Sequence, residues 1–207
     1  MNISDESTIF NVALIPPAHI TALVCHYSHQ LKEFGGSFEV DNASHIAHLT
    51  VFMARMQDSA GATILDSVDA LLRHQPPLHL MQSGYFMTPG RYYEVSYQRS
   101  AEVLGFQHEF VKRLAPLRFS PGRPIRETYF GQYNIRQRLN AIRYGYDLVG
   151  QLFRPHITLT RFPEPPTRPL PPPPDQDLSF LGDRFGVFRA DHLGAARVKI
   201  AEFALRS

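Results

Sequence analysis

Two four-residue segments of this 207-residue chain share one pattern and lie roughly half a chain apart. Residues 48–51 are HLTV and residues 156–159 are HITL, so each segment places a histidine and a threonine two residues apart among aliphatic residues. Alternate side chains of a strand point to opposite faces. Each segment therefore predicts a strand that buries its aliphatic residues and presents the imidazole and the hydroxyl together. Two copies predict a duplicated unit whose motif strands meet at one site.

Paired histidines and threonines suit the cleavage of a phosphodiester without a metal ion. The reaction needs a base, an acid and donors that hold the charge on the phosphate oxygens. An imidazole has an ordinary pKa of about 6.5, so one fold can hold one ring neutral and another protonated. We expect His48 and His156 to act as this base and acid, in an order that the sequence leaves open. We expect Thr50 and Thr158 to bind the phosphate; two histidines that merely satisfy buried backbone groups are the less favoured alternative.

On these motifs the chain resembles the 2H phosphoesterase superfamily, which includes the 2′-5′ RNA ligase-like and RNA 2′,3′-cyclic phosphodiesterase enzymes. The family is named for two His-x-Thr-x motifs with aliphatic x positions, and Arg161 follows the second motif as in many members. The resemblance implies an α+β, bilobed fold with two pseudo-symmetric antiparallel sheets flanked by helices around a central cleft. It implies a metal-independent phosphodiesterase acting on a 2′,3′-cyclic phosphate or 2′-5′ phosphodiester of a nucleotide or RNA end. The same histidines could also join ends, and an inactive nucleotide or RNA-end sensor of the same fold is the alternative.

Five further residues are candidates for substrate binding: Phe52, Arg161, Tyr129, Phe130 and Tyr133. Strand alternation puts Phe52 on the face of the first imidazole, where it would stack on a base or fill the core. Arg161 should leave its strand on the face opposite to Thr158, so it reaches the cleft only if the strand ends or twists there. The other three aromatics precede an arginine-bearing segment, a pattern that could bind a nucleobase with its phosphates, although exposed arginines are usually only solvated.

The resemblance implies a single bilobed catalytic domain over residues 1–207. Composition agrees, because 207 residues with 43% hydrophobic content suffice for one well-buried domain or two small, closely packed lobes. No segment approaches the roughly 20 apolar residues of a membrane span, and the chain begins with polar residues. We therefore expect a cytoplasmic protein without a membrane contact and predict no obligate protein partner. The net charge of +2 is too small for tight non-specific nucleic-acid binding, so any preference for RNA must come from the site.

Ten histidines raise the question of a metal site. On a strand, His45 and His48 would point to opposite faces, which disfavours joint ligation unless the strand begins after His45. His26 and His29 stand three apart on a predicted helix and could chelate, but no Cys-x-x-Cys or His-Glu-x-x-His pattern accompanies them. We predict no metal and no cofactor.

Strands and helices alternate along the chain, which predicts the α+β class. The predicted strands cover residues 9–15, 48–53, 78–87, 92–97, a segment after Pro155, and two strands within 186–205. The predicted helices cover residues 19–34, 58–74, 101–114 and 134–148. Strands 78–87 and 92–97 are expected to form a hairpin that completes the first lobe. The proline-rich segment 163–174 predicts a stiff surface loop, with a docking peptide for an aromatic groove as the less favoured alternative.

Overall fold

The computed structural model describes residues 7–119 and 130–205, and most of their strands join one antiparallel sheet. The strands are β1 (Ser7–Leu14), β2 (Leu49–Gln57), β3 (Leu78–Leu80), β4 (Gln82–Met87), β5 (Tyr92–Tyr97), β6 (His156–Arg161), β7 (Phe180–Gly182), β8 (Arg184–Ala190) and β9 (Ala196–Ala204). Seven of them lie in the order β4-β5-β6-β2-β1-β8-β9, while β3 pairs with β7 in a small second sheet. The predicted α+β class is confirmed.

Among the described residues, the α-helices are α1 (Ala18–Glu33), α2 (Gly61–Leu72), α3 (Ala101–Leu114) and α4 (Ile135–Tyr144). Helix α3 has the predicted bounds, and the Ser100 hydroxyl accepts a hydrogen bond from the Val103 N–H at its start. Helix α4 ends four residues earlier than predicted because Gly145 adopts a left-handed conformation with φ of 79°, which stops a helix. None of these described helices has the length and apolar character needed to cross a bilayer.

The seven-stranded sheet consists of two halves, each with a motif strand at its inner edge. The first half contains β2, β1, β8 and β9, and the second contains β6, β5 and β4. The halves meet between β2 and β6, where the recorded pair is Leu49 and Ile157. The two expected sheets are thus joined at a narrow junction, and the bilobed arrangement around a cleft is confirmed.

The predicted hairpin is confirmed for β4 and β5 but was wrong in two respects. Residues 78–80 leave the hairpin and pair with β7 instead. The hairpin adds to β6 and therefore belongs to the half of the second motif. The first half is completed by β8 and β9 from the end of the chain, because β1 pairs with β8 on the side away from β2. Order along the chain does not determine which motif strand a hairpin joins.

The helices also cross between the halves. Helix α1 follows the first strand in sequence but packs on β6, whereas α3 packs on β2. A continuous cluster of buried apolar side chains runs through both halves and includes Leu31 from α1 and Phe110 from α3. The aliphatic motif residues Leu49 and Ile157 belong to this cluster, so burial of these side chains fixes the face on which the histidines stand.

Residues 163–174, all of which are described, form neither helix nor strand and lie mostly at the surface, as the proline content predicts. The segment is held against helix α1 by contacts that include a hydrogen bond from Nη2 of Arg168 to the Glu33 carbonyl at 3.1 Å. The Tyr27 hydroxyl donates a hydrogen bond to the Pro171 carbonyl at 2.9 Å, and the Arg168 guanidinium lies 3.8 Å from the centre of the Phe34 ring. The segment is therefore a fixed surface loop between β6 and β7.

Candidate active site

The four motif side chains line a single cleft at the junction of the halves. His48 and Thr50 come from the first motif, and His156 and Thr158 come from the second. The antiparallel pair of Leu49 and Ile157 explains this convergence, because each is the residue between a histidine and its threonine. This antiparallel register places His48 opposite Thr158 and Thr50 opposite His156.

Both imidazoles are held in the same way by the backbone. Nδ1 of His48 donates a hydrogen bond to the Ile46 carbonyl at 2.7 Å, and Nδ1 of His156 donates one to the Arg154 carbonyl at 2.6 Å. A carbonyl oxygen only accepts, so the proton of each neutral ring must be on Nδ1. In both rings Nε2 is therefore the nitrogen available for proton transfer in the cleft.

The environment of His48 favours the neutral ring. Burial lowers the pKa of His48 to about 4, and the nearby His156 acts in the same direction, while the bond to Ile46 opposes the shift. The Phe188 ring lies behind the imidazole, with ring centres 6.2 Å apart. Near neutral pH, Nε2 of His48 therefore carries a lone pair and can accept a proton.

The environment of His156 contains a buried ion pair. The Glu94 carboxylate, 3% exposed, has one oxygen 2.6 Å from Nη1 of Arg154 and the other 3.5 Å from Nε2 of His156. Glu94 lies opposite Thr158 in the β5–β6 register and shares the cleft-facing side of the sheet with the second motif. A negative charge therefore stands beside the reactive nitrogen of one histidine.

The Thr50 hydroxyl is oriented by a buried amide. Asn11 is fully buried, and its Nδ2 donates to the Thr50 Oγ1 at 3.0 Å and to the Gly194 carbonyl at 3.3 Å. Because the Thr50 oxygen accepts from Asn11, its own hydrogen points elsewhere. The hydroxyl hydrogen is therefore available to donate to a ligand in the cleft.

Both motif strands contain a β-bulge immediately after the threonine. In the first half Ala13 pairs with Thr50 and Val12 with Phe52, so Val51 is the extra residue. In the second half Glu94 pairs with Thr158 and Tyr93 with Thr160, so residue 159 is the extra one. A bulge reverses the alternation of side chains beyond it.

The first bulge overturns the interpretation of Phe52 as a residue on the cleft face. Phe52 is fully buried and packs against Tyr146 with ring centres 6.4 Å apart, while Met53 lines the cleft. Simple alternation placed Arg161 on the face opposite to Thr158. The second bulge reverses the alternation, and Arg161 lines the cleft. Nε of Arg161 donates to the Gly90 carbonyl at 3.3 Å, and its guanidinium lies 5.6 Å from the centre of the Tyr92 ring.

The three clustered aromatics do not have the expected placement. Tyr129 lies outside the described residues. Phe130 and Tyr133 are not among the described side chains that line the cleft; their rings contact each other, and the Tyr133 hydroxyl donates to Asp147. Gln137, which caps the start of α4 together with Asn134, also donates to Asp147. These bonds hold the segment at the start of α4 instead of in the cleft.

A wall of the cleft is formed by residues that the sequence analysis missed. The rings of Phe38 and His45 stack with centres 4.5 Å apart, and Nη1 of Arg197 donates to Nε2 of His45 at 2.9 Å. Burial and the charge of Arg197 lower the pKa of His45. Burial alone would raise the pKa of Asp191, but hydrogen bonds from Arg197 and two backbone N–H groups hold it below its usual value. Arg197 is therefore held in place by the protein itself.

Two of the missed residues carry a signal in the sequence. Asn11 is a polar residue inside the apolar strand β1, and a buried amide requires hydrogen-bond partners. Glu94 interrupts the otherwise uncharged strand β5. For metal ligation, no group of three or more His, Cys, Asp or Glu side chains among the described residues is arranged to hold an ion. His26 and His29 contact different neighbours, Gln30 and Glu39.

Several solved structures are similar to this chain over almost its whole length. E. coli LigT in its apo form gives a TM-score of 0.62 at 17% identity, covering 98% of this chain and 99% of LigT. The protein TT0787 of Thermus thermophilus gives 0.63 at 19% identity, covering 96% and 98%. A structure described as a phosphoesterase gives 0.61 at 18% identity, covering 98% and 100%. No protein-family model and no curated protein matches the sequence.

These likenesses concern the fold. The chain has the LigT-like fold, which is the fold that its resemblance to the 2H phosphoesterases implies.

Proposed function

We propose that this protein is a phosphodiesterase that hydrolyses a 2′,3′-cyclic phosphate or a 2′-5′ phosphodiester of a nucleotide or RNA end without a metal ion. The observation that carries the proposal is the convergence of His48 and His156 on one cleft, each with Nδ1 bound to a backbone carbonyl. Two rings with Nε2 available in a shared cleft supply the base and the acid that such a reaction needs.

The remaining side chains have roles that suit an anionic substrate. Thr50 and Thr158 donate hydrogen bonds to the non-bridging oxygens, where charge develops during the reaction. Arg161 provides a positive charge at the cleft, and its bond to Gly90 uses only Nε of the guanidinium. Arginine binds phosphate well because its remaining N–H groups form a planar fork.

A nucleotide is the favoured substrate class. The similar protein E. coli LigT has been crystallised with 3′-AMP, with phosphate and with ATP. In this chain the stacked pair of Phe38 and His45 offers a flat aromatic wall beside the motif histidines, which suits a nucleobase. Met53 adds a polarisable apolar surface at the first bulge.

The test is hydrolysis of 2′,3′-cyclic nucleotides and 2′-5′ dinucleotides in the presence of a chelator, with the products resolved as 2′- or 3′-monophosphates. We expect turnover by the natural protein and a loss of about 10²–10⁴-fold in kcat for His48→Ala and for His156→Ala. His29→Ala is the matched control, because this exposed histidine is paired with Glu39 on the surface. Full activity in both motif variants would contradict the mechanism, and saturable binding without product would favour a sensor.

A further inference from the structure

A groove lies on the hairpin of β4 and β5, beside the cleft. Its lining, which defines the hairpin groove, includes Gly84, Phe86, Ser96, Arg99 and Arg154. Ser96 lies opposite His156 in the β5–β6 register, and Gly84 lies opposite Ser96 in the β4–β5 register. Opposite residues of an antiparallel pair share a face of the sheet. The cleft-facing side of the sheet therefore continues from His156 into the hairpin groove and ends at β4, the edge strand.

The hairpin groove has an open floor and an aromatic wall. No heavy atom beyond its chain neighbours lies within 4 Å of the position that a Cβ at Gly84 would take, so the space above this residue is free. Phe86 lies opposite Glu94 and is 45% exposed. The Arg154 guanidinium lies 5.0 Å from the centre of the Phe86 ring and pairs with Glu94 at 2.6 Å, which fixes it between cleft and groove. An exposed ring beside an arginine is a surface on which a nucleobase stacks.

The polar groups of the hairpin groove suit an anion. Arg99 brings a second positive charge, and its bond to the Gly150 carbonyl at 3.3 Å uses only one N–H group of the guanidinium. The Ser96 hydroxyl oxygen is buried and has no hydrogen-bond partner among the described residues. No acidic side chain is among the described residues that line this groove. Arginine donors, a hydroxyl and the lack of a competing carboxylate are what a phosphodiester requires.

We propose that the hairpin groove binds the neighbouring nucleotide of an RNA strand, with its base on Phe86 and its phosphodiester at Arg99 and Ser96. The proposal rests on the proposed phosphodiesterase function and narrows its substrate from a single nucleotide to an oligonucleotide. Strand β4 lies two strands from β6, about 10 Å away at the usual strand spacing, which an adjoining nucleotide can span. The net charge of +2 gives no general affinity for RNA, so a local groove of this kind must supply it.

A nucleic-acid strand fits this groove better than a peptide does. A peptide that adds to an exposed sheet edge bonds to the backbone of the edge strand. The features described above lie on the face of the sheet instead, and they are an aromatic ring and two guanidinium groups. Stacking surfaces combined with positive charge are typical of grooves that bind single-stranded nucleic acid. The groove also continues directly from His156, where the reacting phosphate of the strand would lie.

The experiment compares kcat/KM for a dinucleotide that ends in a 2′,3′-cyclic phosphate with kcat/KM for the matching 2′,3′-cyclic mononucleotide. We expect the natural protein to favour the dinucleotide by about tenfold or more, because only the dinucleotide fills the hairpin groove. Phe86→Ala and Arg99→Gln should each lower this ratio by about fivefold or more. The ratio divides out any effect on the chemical step. Leu181→Ala and Arg73→Gln are the matched controls and should keep the ratio, because both residues are exposed outside the groove.

Equal kcat/KM for the two substrates in the natural protein would overturn the proposal, and so would a preference that Phe86→Ala or Arg99→Gln retains in full. Thermal unfolding checks that both variants are folded. If the natural protein turns over neither substrate, the proposed function fails, and fluorescence anisotropy with a labelled oligouridylate that carries a 3′-phosphate then decides the role of the groove. Binding that both substitutions weaken supports it. Binding that either substitution leaves unchanged, or no binding by the natural protein, refutes it.

Discussion

The two halves of the cleft are alike in backbone and different in charge. Each contributes a histidine with Nδ1 on a backbone carbonyl, a threonine two residues later and a bulge immediately after it. The positions that flank these features differ: the first half has Asn11, Ala13 and Met53, and the second half has Tyr92, Glu94 and Arg161. Similar motifs thus pair with an uncharged strand in the first half and with a strand that carries Glu94 in the second.

This difference teaches that two motifs of the same sequence pattern can have different electrostatic surroundings. The hydrogen bond to the backbone leaves Nε2 of each ring available in the cleft, but it does not decide whether that nitrogen holds a proton. Burial favours the neutral His48, and Glu94, which is paired with Arg154, is a negative neighbour of His156. One duplicated unit can therefore supply a base and an acid.

The largest loss of activity should follow substitution of the motif threonines, which both halves contain. Thr50→Val and Thr158→Val each remove one donor to the phosphate while keeping the branched shape, and we expect kcat to fall by about 10²-fold in each. Steady-state kinetics on a 2′,3′-cyclic nucleotide checks this, with Thr21→Val as a control, since Thr21 bonds the Pro16 carbonyl at the start of α1. A large loss in only one of the two variants would show that phosphate binding is not shared between the halves.

A smaller effect should appear at Asn11, which acts through Thr50 in the first half alone. Asn11→Leu removes the amide that orients the Thr50 hydroxyl, and we expect a loss of about tenfold in kcat/KM. The same substitution in a Thr50→Val background should cost almost nothing further in kcat/KM, because the two residues act on one hydroxyl. Additive losses in the double variant would mean that Asn11 acts elsewhere. Thermal unfolding separates this effect from a loss of stability.

The smallest effect concerns stability against acid. The folded pKa of His48, about 4, lies below the ordinary value of 6.5, so the unfolded chain binds more protons between these values. The free energy of unfolding should therefore fall as the pH drops from 6.5 to 4, by at most about 3 kcal/mol from this residue. Denaturant unfolding of His48→Asn should show less of this loss than the natural protein. An equal loss of stability in His48→Asn and in the natural protein would contradict the low pKa of His48.

Much of the architecture follows from local sequence patterns. Helix α3 and the paired strands at the end of the chain have the predicted places, because caps and alternation are properties of neighbouring residues. The shared face of each histidine and its threonine also has a local origin, since the aliphatic residue between them is buried on the opposite side of the strand. The proline-rich loop is at the surface because proline lacks the donor that a strand needs.

The features that the sequence did not predict depend on pairing between distant segments. Phe52 was assigned to the wrong face because a bulge at Val51 reverses the alternation, and a bulge is a property of two strands rather than one. The hairpin of β4 and β5 was assigned to the wrong half because its partner strand, β6, is distant in the sequence. Glu94 could not be placed beside His156 until the partner of β5 was known.

The most direct test is an NMR titration of both imidazoles in the free protein, with the signals assigned through His48→Asn and His156→Asn. We expect His48 to be neutral near pH 7 with its proton on Nδ1, and to gain a second proton only near pH 4. A His48 ring that stays doubly protonated up to pH 6.5 would contradict the account, because burial would then have no effect on its pKa.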